Sequence, residues 1–189
     1  AVIKSDDEVD RFSLYILRNL VIATQNERVL REIGLKRPAD CLSYRVAVKS
    51  IERIADHSFG IAENCLKIGR QQEISTSLFE KIEKMSQLSL VIFNDSVEAF
   101  LRRDYVMADS VVDKVENIRS VENDIISILN REDKTTPNEP VNSNIRLILE
   151  DIRRTAEHAS DIAEAAMNQT IGEVITVGRR PLRAYPKNR

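Results

Sequence analysis

The sequence predicts an all-α protein made of two tandem antiparallel three-helix bundles, the first of which lacks its first helix. Three observations carry this prediction. Five glycines, five prolines and no tryptophan among 189 residues leave few turn formers, which favours helices over sheets. Apolar residues recur at three- and four-residue steps, the period of an amphipathic helix. One helical stretch also occurs twice.

The repeated stretch covers residues 51–63 and returns 101 residues later at 152–164. Seven of the aligned pairs are identical, among them His57 with His158 and Glu63 with Glu164. Because solenoid repeats recur at roughly 20–50 residues, so long a spacing indicates a duplicated half of the protein.

The first helix begins at about Asp6, where acidic residues suit the positive end of the helix dipole. Its predicted apolar stripe consists of Val9, Phe12, Ile16, Leu20 and Ala23. Gly34 and Pro38 then mark a connection to the next helix.

The second helix runs from Asp40, a candidate N-cap, to about Ile68, and Gly69 stops it. Ser75 caps a third helix that reaches about Arg103.

Asp104 caps a fourth helix that ends near Arg131, and the loop 134–140 carries two prolines. A fifth helix follows from about Asn142 to Glu173. The domain prediction is therefore a partial first bundle at 1–70, a three-helix bundle at 71–175 and a basic tail at 176–189. The tail is either a solvated end or a segment that docks on an acidic or anionic partner.

The duplication pairs the second helix with the fifth and the first with the fourth. The third helix has no counterpart, and that counterpart would lie before Ala1. The start at alanine rather than methionine also suggests a missing upstream segment.

Two pairs of acids are the candidate metal ligands. Glu52 and Asp56 lie one helical turn apart, as do Asp6 and Asp10 on the first helix. If these helices are antiparallel neighbours, the four carboxylates face each other and repel unless a cation neutralises them. Oxygen ligands without a thiolate suit Mg²⁺, Mn²⁺, Ca²⁺ or oxidised iron. The alternative is a solvated face paired with the nearby basic residues.

The second copy of the repeat lacks this arrangement. Arg153 stands where Glu52 stands, beside Glu157, and the partner helix offers Glu116 and Ser120. Since the arginine is a built-in cation, the sequence predicts one competent metal site, in the first half only. His57 is interpreted as a core or interface residue.

Composition and motifs also bound the function. A formal net charge of -2 disfavours nucleic-acid binding by the bundles, and Cys41 and Cys65 are interpreted as reduced, buried thiols of a cytoplasmic protein. Neither histidine has a glutamate three residues before it, and no Walker-type loop occurs. An enzyme is therefore not expected.

The residues 51–57 and 61–63, together with the acidic run 6–11, resemble the two signature motifs of the PhoU family of phosphate-uptake regulators. The resemblance implies a metal held by pairs of motifs of the form E/D-x-x-x-D. Asp6, Asp10, Glu52 and Asp56 match these, and Asp7 and Glu63 are supplementary candidates for a divalent or trivalent ion (iron, manganese, magnesium or zinc).

Membership also implies a cytoplasmic regulator, often a homodimer, that contacts a phosphate transporter's ATPase and a sensor kinase and is at most peripheral to the membrane. Archaeal members resemble a fusion with an upstream DNA-binding domain. The alternative function is therefore the helical effector part of a transcription regulator.

Overall fold

The computed structural model describes residues 2–69, 74–135 and 139–178, which form six helices and, within those residues, no strand. The all-α prediction is confirmed. The helices are α1 (Val2–Gln25), α2 (Glu27–Glu32), α3 (Asp40–Ile68), α4 (Thr76–Arg102), α5 (Tyr105–Thr135) and α6 (Glu139–Gly178).

Most of the predicted helix ends are set by local chemistry. The Ser75 hydroxyl accepts a hydrogen bond from the backbone N–H of Leu78 at 3.3 Å, and the Asp104 carboxylate accepts one from Met107 at 3.0 Å. Gly69 ends α3 with a φ of 69°, a conformation that glycine adopts at little cost. These three predicted caps are confirmed.

The start of α3 differs from the prediction, because Asp40 is its first helical residue and Ala39 is the N-cap. The Asp40 side chain is 2% exposed and lies 2.8 Å from the Arg37 guanidinium and 3.7 Å from that of Arg103. The carboxylate thus joins the connection before α3 to the turn between α4 and α5, instead of capping its own helix.

The connection between α1 and α3 contains the short helix α2, which the periodicity did not predict. Asn26 caps it by accepting hydrogen bonds from two backbone N–H groups, and Leu30 and Leu35 are buried beside Leu20. Six residues are too few for an apolar period to be read from sequence.

The second half is a three-helix bundle in which α4, α5 and α6 all pack against one another. Along α4 the buried residues recur every seven positions, at Leu78, Met85, Ile92 and Ala99. The short turns make neighbouring helices antiparallel. In the first half, α1 packs against α3, and α3 packs along α6 to join the two halves.

The predicted apolar stripe of α1 is only partly buried. Leu20 and Ala23 lie in the core, whereas Phe12 is 67% and Ile16 38% exposed. These two were wrongly assigned because no helix of the described residues covers their side of α1. Cys65 was also wrongly assigned, since its thiol is exposed, whereas Cys41 is buried.

Helix α6 extends beyond the predicted end at Glu173, to Gly178. The basic tail beyond it, 179–189, lies outside the described residues, and the division into units at residues 70 and 175 stays a prediction. Within the described ranges, none of the helices combines the length and the hydropathy that crossing a bilayer requires.

Candidate functional site

The predicted acidic residues of α1 and α3 come together at one end of the helix pair. Leu20 of α1 lines the same groove as Tyr44 and Val48 of α3. Towards the other end of α1, Asp6 and Asp10 are close enough to Asp56 of α3 to act on its carboxylate electrostatically. The two helices are therefore antiparallel neighbours, which was the condition for the predicted carboxylates to face each other.

We call Asp6, Asp10, Glu52 and Asp56 the acid cluster. Its electrostatics are unfavourable in the absence of a cation. Burial, followed by the charges of Glu52, Asp6 and Asp10, raises the pKa of Asp56, and His57 opposes the shift. One carboxylate oxygen of Asp6, Oδ1, is buried without a hydrogen-bond partner. Glu52 is ion-paired with Lys49. An orphaned oxygen among like charges is the environment that an oxygen-preferring cation relieves.

The supplementary candidates are not drawn into the cluster. Asp7 is exposed, and Glu63 pairs with Lys67 at 3.2 Å, two helical turns beyond Asp56. In the described part of the chain, no three acidic, histidine or cysteine side chains are already arranged to hold a metal ion. The assignment of Asp7 and Glu63 as ligands stays a prediction.

The corresponding place in the second half is filled by arginine. Arg153 lies 2.6 Å from Glu157 and 3.0 Å from Glu122, while Arg119 and Arg154 lie 3.1 and 3.2 Å from Glu157. Although burial opposes it, hydrogen bonding from Arg153 and Arg119 lowers the pKa of Glu157. The carboxylates here are neutralised by side chains, as the substitution of Arg153 for a carboxylate indicated.

Sequence reasoning missed Arg119 and Glu122, because it compared α5 with α1 only at Glu116 and Ser120. Arg119 lies one turn beyond Glu116, and Glu122 lies one turn beyond Arg119. A helical reading of α5 over this whole face contains the signal.

The two histidines of the repeat meet each other at the junction of the two halves. The rings of His57 and His158 stack with centroids 5.4 Å apart and planes 16° apart. His57 Nδ1 lies 2.9 Å from Asp151 Oδ1. A Cβ on Gly60 would sit 2.7 Å from Asp151 Oδ2, so the glycine leaves room for this carboxylate. His57 thus contacts the other half of the protein, which agrees with the prediction of a core or interface residue.

Replacing Asp56 with asparagine should stabilise the metal-free protein by a few tenths of a kcal/mol at pH 7, because it removes like-charge repulsion. A carboxyl group whose pKa is raised by folding carries its penalty only when ionised. The gain should therefore appear as the pH rises through the folded pKa and vanish below about 3.9, the ordinary pKa of aspartate. Urea denaturation in EDTA at pH 7 and pH 3.5 measures it.

The matched control for this prediction is Glu63→Gln, which removes an acid of the same helix that is already paired with Lys67. It should not stabilise the protein. A loss of stability in Asp56→Asn at pH 7 would show that the carboxylates of the acid cluster are compensated within the protein.

Comparisons with known proteins give a consistent result. The family model described as "PhoU domain" matches residues 1–65 and 82–166. A curated protein of Aquifex aeolicus (strain VF5), the "Phosphate-specific transport system accessory protein PhoU homolog", is 26% identical over 122 residues, which is 62% of this chain. The chain spans about half (50%) of that relative's length.

A solved structure has the same fold. The phosphate transport system regulatory protein PhoU from Streptococcus pneumoniae superimposes with a TM-score of 0.77, at 21% identity, over 90% of this chain and 78% of that one. At this identity the likeness establishes the fold alone, which is a helical bundle.

Proposed function

The chain belongs to the PhoU domain family, and from this premise we propose that it is a cytoplasmic, non-enzymatic regulator of phosphate uptake. It acts through contacts with other proteins. The relative from Aquifex aeolicus is named as an accessory protein of a phosphate-specific transport system, which supports a partner in phosphate transport. The expected partners are a transporter's ATPase and a sensor kinase, with a homodimer as the working form.

The observation that carries this proposal is the difference between the two halves at equivalent positions. In the first half, the acid cluster consists of Asp6, Asp10, Glu52 and Asp56. Asp6 has a buried oxygen without a hydrogen-bond partner, and the pKa of Asp56 is raised. In the second half, Arg153 neutralises Glu157. The second half thus supplies its own cation, and we infer that the first half takes a cation from solution.

We infer that a divalent or trivalent cation binds in the first half. Its four carboxylates are hard oxygen donors, the class preferred by Mg²⁺, Mn²⁺ and oxidised iron. When bound, the ion would neutralise the acids and link α1 to α3. The acid cluster would then present a different charge to a partner in its bound and free states.

A pull-down from phosphate-replete cells tests the proposed function. The variant Glu52→Ala with Asp56→Ala should recover the phosphate transporter's ATPase at least about tenfold less than the wild type does, because every 1.4 kcal/mol of lost binding is tenfold in affinity.

The matched control is Glu80→Ala with Glu83→Ala, which removes two exposed acids from α4 and should not change the yield. Equal recovery by all three proteins would exclude the acid cluster as the regulatory element. Because that alternative places DNA binding upstream of the bundles, recovery of DNA by the full-length protein in place of transport proteins would favour it.

A further inference from the structure

One face of α3 combines exposed apolar side chains with exposed arginines. Leu42 is 67% exposed and Val46 is 42% exposed, and Arg45 and Arg53 are exposed as well. Because successive helical residues are turned by about 100°, these four lie within about 100° of one another around the helix. We call them the α3 face. Exposed apolar surface that is rimmed by polar groups marks an interaction site in a soluble protein.

A groove of about 430 Å³ lies beside this face, between α3 and α6. Leu42 and Val46 belong to its α3 wall. Its α6 wall consists of one buried apolar residue and three polar residues, which are Ala165, Asp161, Glu164 and Asn168. A groove with an apolar floor between two packed helices has the shape in which an amphipathic helix binds.

The α3 face belongs to a side of the helix that stays open in a complete three-helix bundle. The repeat places Leu147 of α6 at the position of Val46, and Leu147 is 47% exposed although α4 and α5 both pack on α6. The other three equivalent residues of α6 are exposed too. One of them is Ser143, at the position of Leu42, so the fold does not require an apolar residue there.

The arginines of the two halves differ in their partners. Arg146 and Arg154 of α6 stand at the positions of Arg45 and Arg53, and each has a side-chain partner, at 2.6 and 3.2 Å. Arg45 and Arg53 have no hydrogen-bond or ion-pair partner among the residues that the structure describes. The first half thus presents two uncompensated positive charges beside its apolar side chains.

We propose that the α3 face binds an amphipathic helix of the partner protein in phosphate transport. The apolar side of that helix lies against Leu42 and Val46, and acidic residues along one of its edges pair with Arg45 and Arg53. This inference rests on the proposed function and adds the surface and the chemistry of the partner segment.

The charges of the groove distinguish a helix from a lipid surface. Asp161 and Glu164 on the α6 wall would repel the anionic headgroups that attract basic protein surfaces. A helix avoids this repulsion by placing basic residues on its second edge, so that both walls of the groove meet opposite charges. The groove is also concave, which suits a helix better than a flat bilayer.

A pull-down from phosphate-replete cells, with the phosphate transporter's ATPase quantified, tests the surface. Val46→Glu introduces a carboxylate into the apolar wall and should reduce the recovery of the ATPase at least about tenfold. The matched control is Leu147→Glu at the equivalent exposed position of α6, which should leave recovery unchanged. Circular dichroism verifies that both variants are folded.

Removal of the uncompensated arginines tests the acidic edge of the helix. Arg45→Ala with Arg53→Ala should reduce recovery by about threefold or more, since exposed ion pairs contribute little individually. The matched control is Arg28→Ala with Arg31→Ala, which removes two exposed arginines that are already paired within α2 and should not change the yield. Equal recovery by both double variants would exclude the acidic edge.

Photo-crosslinking identifies the occupant of the groove. A benzoylphenylalanine in place of Leu42 should become linked to the ATPase. Mass spectrometry of the linked peptide should show apolar residues at three- and four-residue steps with acidic residues beside them. The same probe in place of Leu147 should give no such product. A linked peptide without that pattern would overturn the amphipathic helix as the occupant.

The outcomes separate this surface from the proposed function. If the wild type recovers no ATPase, the proposed function fails and this inference fails with it. If Val46→Glu recovers as much ATPase as the wild type does, the surface alone is wrong. Flotation with phosphatidylserine vesicles that Val46→Glu abolishes would assign the α3 face to a membrane. A smaller mass of Val46→Glu in light scattering would assign it to a second copy, and either result would overturn the helix.

Discussion

Replacing Arg153 with alanine should lower the free energy of unfolding by about 2–3 kcal/mol. The guanidinium bridges Glu122 and Glu157, whose side chains are 14% and 19% exposed. Removing one partner of a fully buried ion pair costs roughly 3–5 kcal/mol. The residual exposure here and the two other arginines at Glu157 reduce that figure. Urea denaturation at pH 7 measures the change.

The matched control is Arg154→Ala, since Arg154 also contacts Glu157, at 3.2 Å, but is 48% exposed. Its loss should cost less than about 1 kcal/mol, the range for exposed pairs. If Arg153→Ala lowers the free energy of unfolding by as little as Arg154→Ala does, Arg153 does not act as the internal cation of the second half.

The effect of Arg153→Ala should also depend on pH. Hydrogen bonding to Arg153 and Arg119 lowers the pKa of Glu157 against the opposing effect of burial. A carboxyl group whose pKa is lowered by folding contributes stability above its ordinary pKa and loses it as the pH falls through the folded value. The difference between the wild type and the variant should therefore shrink as the pH falls below about 4.3.

Binding of Mn²⁺ should stabilise the wild type by about 2.7 kcal/mol when the free ion reaches one hundred times its dissociation constant. The ion would offset the burial and the like-charge repulsion that together raise the pKa of Asp56, and it would satisfy the orphaned oxygen of Asp6. Isothermal titration should give one site per chain, and thermal unfolding at matched concentrations should give the stabilisation.

Substitution within the acid cluster should abolish both signals. Glu52→Gln with Asp56→Asn removes two of the four carboxylates and should leave no titratable Mn²⁺ site. The matched control is Glu116→Gln, the second-half counterpart of Asp6, which should leave binding unchanged. Two equivalent sites per chain would show that Arg153 does not prevent the second half from binding an ion.

The chemistry of single helices was readable from the sequence. Ser75, Asp104 and Gly69 act at helix ends through their own backbone neighbours, so a local pattern contains the whole interaction. Asp40 was assigned wrongly because its interactions are not contained in such a local pattern. Its arginine partners at 37 and 103 lie in the connection before α3 and in a distant turn, and the burial of its carboxylate depends on both.

The candidate site also has one part that the sequence predicted and one part that only the structure shows. The repeat and the replacement of Glu52 by Arg153 predicted one acidic half and one half with its own cation, because both observations concern residues on one helix. Arg119 and Glu122 lie on the same face of α5 as Glu116, which the sequence indicates, but their ion pairs form across the contact between α5 and α6, and only the tertiary structure shows these partners.

The sequence by itself determined the all-α class, most of the helices and the difference between the two copies of the repeat, because helix periodicity and capping act over a few residues. The tertiary structure alone decided which faces those helices share. It buried Leu20 but left Phe12 and Ile16 of the same predicted stripe exposed, and it stacked the two repeated histidines on each other. Burial depends on what packs against a face, and a helical period does not contain that information.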